Sequence, residues 1–270
     1  MQGSSRAAAA ASRDAFTGAL AAGADRSRLA EELFAVVGLL DSGTALRRAV
    51  ADTSREGADK AQLAERLFAG KVSAETLVVL KGVFAQRWTS DRDLTDTIEA
   101  YAVEAVIAQA EAEGRADQVE DELFRFERIV AADAGLRSAL TESQASDERR
   151  TALIESLLRD KVAPETLGLV HQAVRAPRGR RFDRTVERYL DTASHRRQQQ
   201  TAIVTSAVPL SDEDRRRLAA GLAAVYGGTV HVNTVVDPRV MGGVKVEIGD
   251  EIIDGTVIRK LDAARRAMGA

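Results

Sequence analysis

The 270-residue chain contains no cysteine, four prolines, one tryptophan, three histidines and only 4% aromatic residues. Without cysteine there can be no disulfide, no thiolate metal site and no cysteine nucleophile, and the composition suits a reducing compartment. So few aromatics leave alanine and leucine to fill most of the interior, which suits closely packed helices better than a β-sandwich. A formal net charge of −3 is too balanced for a nucleic-acid or anionic-membrane binder. Long apolar runs are missing too. The longest, Leu33 to Leu40, is far short of a bilayer span, so no direct membrane insertion is expected. The run Ala7 to Ala11 is too short and too weakly apolar for a secretory leader, and Arg13 and Asp14 follow it. The expectation is a soluble, intracellular protein.

Catalytic signatures are absent as well. There is no G-x-x-x-x-G-K-S/T loop, no G-x-G-x-x-G after a strand, no H-E-x-x-H and no G-x-S-x-G. His171 lies on a helical pattern with Leu167 and Val170, His195 is in a polar stretch, and His231 alternates with Val230 and Val232, which directs it off the buried face. None has the convergent partners that a metal or general-base site needs. No catalytic residue, cofactor or metal is expected.

What the chain does have is an internal repeat. Glu32-Leu33-Phe34 recurs as Glu122-Leu123-Phe124, Leu46-Arg47 as Leu136-Arg137, Leu63 and Glu65 as Leu153 and Glu155, and Glu75-Thr76-Leu77 as Glu165-Thr166-Leu167, each 90 positions on. A constant offset requires every helix, turn and loop to keep its length. Towards the end of each copy the offset becomes 88, pairing Ile98-Glu99 and Tyr101 with Val186-Glu187 and Tyr189. Both copies read as helical bundles. Leu29, Leu33, Val36, Val37 and Leu40 form one stripe, mirrored by Val119, Leu123, Phe126 and Val130. Ser73 is placed to cap a helix whose buried face is Leu77, Leu80 and Phe84, and Pro164 sits at the corresponding first turn. No proline or glycine occurs between Trp88 and Gly114. One long helix is therefore expected to close the first bundle and open the second. The arginines Arg175, Arg178, Arg180, Arg181, Arg184 and Arg188, interrupted by Asp183 and Glu187, read as a solvated helix end and not as a phosphate-binding surface.

The last seventy residues change character. Val244, Val246 and Ile248 alternate with Lys245 and Glu247, the period of a strand with one buried face. Val230, Val232 and Val235 carry the preceding strand, and Asp237-Pro238 opens a turn between the two. The two runs are expected to form a hairpin with a long connection. Gly242-Gly243 opens the second strand, either for a positive φ or for a close approach. A phosphate cradle is disfavoured there, because the pair leads into a strand and not a helix N-terminus. Gly249-Asp250 turns the chain again. Asp254-Gly255 precedes a helical segment, Thr256 to Met268, whose Val257, Leu261 and Ala264 share a face.

The run V-D-P-R-V-M-G-G-V-K-V-E-I-G-D, then I-I-D-G-T-V and Arg259-Lys260-Leu261, resembles the C-terminal signature of the delta subunit of F-type ATP synthase, the bacterial counterpart of the mitochondrial oligomycin-sensitivity-conferring protein. Thr256 stands where serine is usual and Met241 where isoleucine is common. Ala202 to Ala207 with Pro209-Leu210-Ser211 is similar to the strand entering the same domain, and Ala105 to Leu123 to the opening helices of the family's bundle. The family normally has one bundle; residues before about Ser90 resemble the extra bundle of some actinobacterial members.

The fold expected is mainly α: two tandem bundles over residues 1–100 and 101–198, then a small α/β domain with a short sheet over 199–270. What the resemblance implies is a non-catalytic subunit of the peripheral stalk, one copy per hetero-oligomeric complex on the cytoplasmic face of the cell membrane. Its implied partners are the N-terminal helix of an alpha subunit and the C-terminal region of subunit b, with no nucleic acid. Its implied structural and partner-binding positions are Asp237, Pro238, Gly242, Gly243, Gly249, Asp250, Asp254, Gly255 and Leu261. The competing reading is a tandem-bundle adaptor for amphipathic helices of unrelated partners.

Overall fold

A computed structural model describes residues 3–141, 146–199, 201–226, 230–240, 242–249 and 251–255. The chain divides into two compact units, Met1–Ala193 and Ser194–Ala270. The first unit is helical and holds both copies of the repeat.

Copy one runs through α1 (Gly3–Ala21), α2 (Arg26–Ser42), α3 (Thr44–Ala51), α4 (Gly57–Phe68), α5 (Ala74–Ala85) and α6 (Asp91–Ala112). Copy two begins on that same α6 and continues through α7 (Ala116–Ala132), α8 (Ala134–Thr141), α9 (Asp147–Leu158), α10 (Pro164–Arg175) and α11 (Phe182–Gln199). From α2 onto α7 through α5 onto α10, both ends of each helix shift by 90. The expected long helix is α6. Ser90 caps its start by accepting from the Arg92 amide, and Gly114 ends it at φ 69. Its Ile98, Tyr101, Ala102, Ala105 and Ala108 lie in the first core, and its Val103, Ile107 and Ala110 in the second. One helix is thus last in one bundle and first in the next.

Both predicted stripes are buried: Leu33, Val37, Leu40, Val119 and Leu123 are fully enclosed. The connection between α4 and α5 needs a left-handed residue, which is Gly70 at φ 73 in copy one and Asp160 at φ 61 in copy two. The connection from the fifth helix to the sixth is where the copies diverge. Residues 86–93 precede Leu94 in copy one, but only residues 176–181 precede its counterpart Phe182, and this two-residue shortening turns the offset of 90 into 88. Copy one uses the longer segment to bury Trp88, whose indole N–H donates to the Val83 carbonyl at 2.9 Å.

The second unit contains β1 (Thr201–Ser206), α12 (Asp212–Tyr226), β2 (His231–Val236), β3 (Val244–Ile248) and β4 (Glu251–Asp254), in sheet order β2-β1-β3-β4. Its core joins Ala202, Val204, Leu222, Val230, Val246 and Ile248. The β1–α12–β2 connection supplies the crossover that a parallel pair requires.

The expected hairpin between the valine runs does not form. β2 pairs with β1 in parallel, β3 pairs with β1 on its other side, and the hairpin is instead β3 with β4. Strand alternation specifies which face is buried and not which neighbour is paired. Val244, Val246 and Ile248 do face inward, whereas Val235 in β2 is half exposed. The helix expected over Thr256 to Met268, the side chain of His231, and positions Asp250 and Leu261 lie outside the described residues.

Candidate functional site

The turn from Asp237 to Gly243 carries the chain over the end of β1, because β2 and β3 lie on opposite sides of that strand. It is pinned at its start by the Asp237 amide donating to the Ser206 carbonyl at 2.9 Å. The Asp237 carboxylate accepts from the Arg239 amide at 3.0 Å and from the Arg239 guanidinium at 2.9 to 3.2 Å, and the Val240 amide closes a turn on the Asp237 carbonyl at 3.0 Å. These bonds with Arg239 hold the Asp237 carboxyl below its ordinary value. Pro238 occupies the position in that turn where its fixed φ is favourable.

Gly242 and Gly243 have φ of 69 and 78. Two successive left-handed residues reverse the chain into β3, so the need for glycine is conformational. Gly249 at φ 55 begins the two-residue turn between paired Ile248 and Glu251. Asp254 pairs with Lys245 at the far end of that hairpin, and the Gly255 amide donates to the Val244 carbonyl at 3.0 Å. A Cβ on Gly255 would meet that oxygen at 3.1 Å. The described motif positions therefore shape both ends of β3: Asp237, Pro238, Gly242, Gly243, Asp254 and Gly255 lie at the end beside Ser206 of β1, and Gly249 at the opposite end.

In the bundles, helix two is tied to the start of helix five by a glutamate at matched positions. Glu32 Oε2 accepts from the Ser73 amide at 2.9 Å and the Ser73 hydroxyl at 2.8 Å; Glu122 Oε2 accepts from the Ala163 amide at 2.9 Å and the Thr166 hydroxyl at 2.6 Å. A carboxylate at a helix N-terminus also meets the positive end of the helix dipole. Burial opposes ionisation of Glu32, but bonds from Thr76, Arg28 and Ser73 outweigh it and hold the carboxyl below its ordinary value. Sequence reasoning met both glutamates only as repeat markers; their recurrence was the available signal.

The final helix of each copy carries a buried tyrosine. Tyr101 Oη bonds Ser12 Oγ at 3.0 Å and donates to the Ala9 carbonyl at 3.0 Å. Burial, partly offset by the Ser12 bond, pushes its hydroxyl up to about 12. Tyr189 is 2% exposed and has no hydrogen-bond partner among the described residues. The ends of α1 and α6, each closed by a left-handed glycine, match at an offset of 91, which places the apolar Val103 where Ser12 stands.

The arginine run is a solvated end only in part: Arg175, Arg181, Arg184 and Arg188 are exposed, and Arg178 and Arg180 are not. Arg178 is 7% exposed and bonded to Asp41, Asp96, Glu99 and Thr95, while Arg181 and Arg184 at 71% and 70% do face solvent. The partners of Arg178 come from far away in sequence, so their nearness could not be read from the run itself. His171 lies 3.3 Å from Glu155, and burial lowers its pKa. His195 is exposed. Among the described residues no group of three or more His, Cys, Asp or Glu side chains could hold a metal ion, and no helix is long and apolar enough to cross a membrane.

A duplicated bundle with a rigidly shaped α/β unit after it, built from packing contacts, caps and turns, defines a scaffold or connector class of protein. Comparison with known proteins gives the particular case. Residues 97–268 match the family model described as ATP synthase delta (OSCP) subunit. Proteins named ATP synthase subunit delta are 43% identical in Kineococcus radiotolerans (92% of this chain, 90% of that one), 45% in Streptomyces griseus (90% of each) and 42% in Streptomyces coelicolor (100% and 99%). The chain belongs to the delta (OSCP) family of ATP synthase subunits, and is a structural subunit of the peripheral stalk without a catalytic site of its own. The family model begins within α6, so it spans copy two and the C-terminal unit; the relatives match across copy one as well.

Proposed function

We propose that the chain is a two-ended connector between the catalytic head and the membrane-anchored stalk at the cytoplasmic face of the membrane. The bundle end, divided near residue 100 into its two copies, receives the amphipathic N-terminal helix of an alpha subunit. The C-terminal unit, residues 199–270, holds the C-terminal region of subunit b. Torque from the rotating shaft is then resisted through the chain, which needs stiffness and two attachments and no chemistry.

The observation that carries this reading is the presence of two compact units, the first closed around two apolar cores and the second around one, in a member of this family. Grooves between bundle helices are suited to an amphipathic helix. Copy two, next to the C-terminal unit in sequence, supplies the main alpha contact. Copy one retains the same helices at the same spacing and adds a second receptor or brace, raising avidity where a second alpha helix is within reach.

Calorimetric titration of the full chain with a synthetic alpha N-terminal peptide tests the bundle end. Saturable binding that survives a lesion at Gly242 supports the reading. No binding, with head and stalk subunits absent from the protein's native complex, would favour the unrelated adaptor.

A further inference from the structure

The connection between α10 and α11 reaches back into copy one. Arg178 Nε donates to Asp41 Oδ2 at 2.6 Å, Nη1 to Glu99 Oε2 at 2.6 Å and Nη2 to Thr95 Oγ1 at 2.6 Å, and Nη1 lies 2.9 Å from Asp96 Oδ1. Asp41 is at the end of α2, in copy one alone; Thr95, Asp96 and Glu99 are on the shared α6. Arg180 also bonds Glu99, Arg188 lies 3.4 Å from Asp96, and Arg47 bonds Asp91 at 2.9 Å and approaches Asp41 at 4.0 Å. Four arginines thus face four carboxylates, and the carboxylate of Glu99 is 3% exposed.

Arg178 holds this position at φ 55, followed by Gly179 at φ 74. A non-glycine residue stays left-handed only where its surroundings over-determine it, and here four partners do so. Burial opposes the guanidinium charge, but Glu99, Asp96 and Asp41 outweigh it. Copy one has no counterpart, because its longer connection turns inward to bury Trp88. The apolar seam between the copies is narrow: Phe34 and Val106 are the described partly buried residues that pack against both cores, and Val106 is itself on α6.

We propose that this cluster is a clasp that fixes the angle between the two bundles about α6, so that the duplicated copies behave as one stiff lever. A shared helix with a narrow apolar seam would otherwise bend or twist. The bond from Arg178 of copy two to Asp41 at the end of α2 ties the copies at a second point, away from α6. The proposal concerns the angle between bundles and not the partners they hold, so it stands or falls separately from the connector reading.

The absence of native cysteine makes the test direct. Spin labels on Lys71→Cys and Lys161→Cys, exposed and at matched positions of the two copies, report the inter-bundle distance by double electron–electron resonance in the full chain. The expected result is one narrow distance population in the parent and at least a doubling of its width in Arg178→Met. A folded Arg178→Met with unchanged width overturns the proposal. If Arg178→Met does not fold, Asp41→Ala decides, because it removes only the copy-one partner and leaves Arg178 paired with Glu99 and Asp96. Broadening in Asp41→Ala supports the clasp, and an unchanged width overturns it.

Discussion

Tyrosine-to-phenylalanine exchange at the two equivalent positions, Tyr101 and Tyr189, should have opposite effects on stability. Both rings are buried at 2–3% exposure, so the exchange leaves packing nearly untouched, including the stacking of Tyr101 on Phe16 at 4.6 Å. At Tyr101 the hydroxyl lost makes two hydrogen bonds. The Ser12 hydroxyl still donates to the Ala9 carbonyl at 3.0 Å, so that acceptor is not orphaned. The expected cost is that of an ordinary internal hydrogen bond, about 1 kcal/mol. At Tyr189 the hydroxyl removed has no partner, and a buried unpaired hydroxyl is worth about 1–3 kcal/mol of destabilisation. Taking the low end, Tyr189→Phe should stabilise by about 1 kcal/mol. For a unit of this size each change corresponds to about 2–4 °C in melting temperature. Thermal and urea unfolding of both variants, followed by circular dichroism, measures the difference. Equal losses at the two sites would refute the reasoning, because that would require Tyr189 to be hydrogen-bonded like its counterpart.

Asp160→Gly, which gives copy two the left-handed glycine that copy one has in Gly70, should stabilise by about 0.5–1 kcal/mol in urea unfolding, and Gly70→Ala should lose about as much. The lowered carboxyl of Glu32 contributes stability that is fully present above the unfolded value of 4.5 and is lost as pH falls through the folded value. Unfolding free energy measured from pH 6 downwards should therefore decline below about pH 4.5, and Glu32→Gln should flatten that decline while lowering stability at pH 7. Gly242→Val, at φ 69, should cost about 1–2 kcal/mol from backbone strain and weaken capture of subunit b while leaving alpha-peptide binding intact. Loss of both interactions, or of neither, would count against separate attachment ends.

The helical part of the fold was legible because its signals are local. Stripes such as Leu29 to Leu40, the cap at Ser73 and the proline at the first turn of α10 each act within one helix, and the repeat supplied an independent check on lengths. The C-terminal sheet was legible strand by strand but not in its pairing. Val244 to Ile248 declares a buried face, yet nothing in its alternation says that β1, forty residues earlier in sequence, inserts between it and β2. Positive φ at Gly242 and Gly243 was one of two open readings, and only the crossing over β1 explains it. Within the arginine run, Arg178 misled for the same reason as the strands. Asp41 is 137 residues from Arg178, and a charge run shows its cations without the carboxylates that bury them.

The central claim is that one chain holds the head at one end and the stalk at the other. Lysine-reactive cross-linking of the intact ATP synthase, read by mass spectrometry, tests it most directly, since Lys71 and Lys161 mark the bundles and Lys245 marks the sheet. The account predicts links from Lys71 or Lys161 to the N-terminal part of an alpha subunit and from Lys245 to the C-terminal part of subunit b. Links from Lys245 to alpha and from the bundle lysines to subunit b, or no links to either subunit, would contradict it.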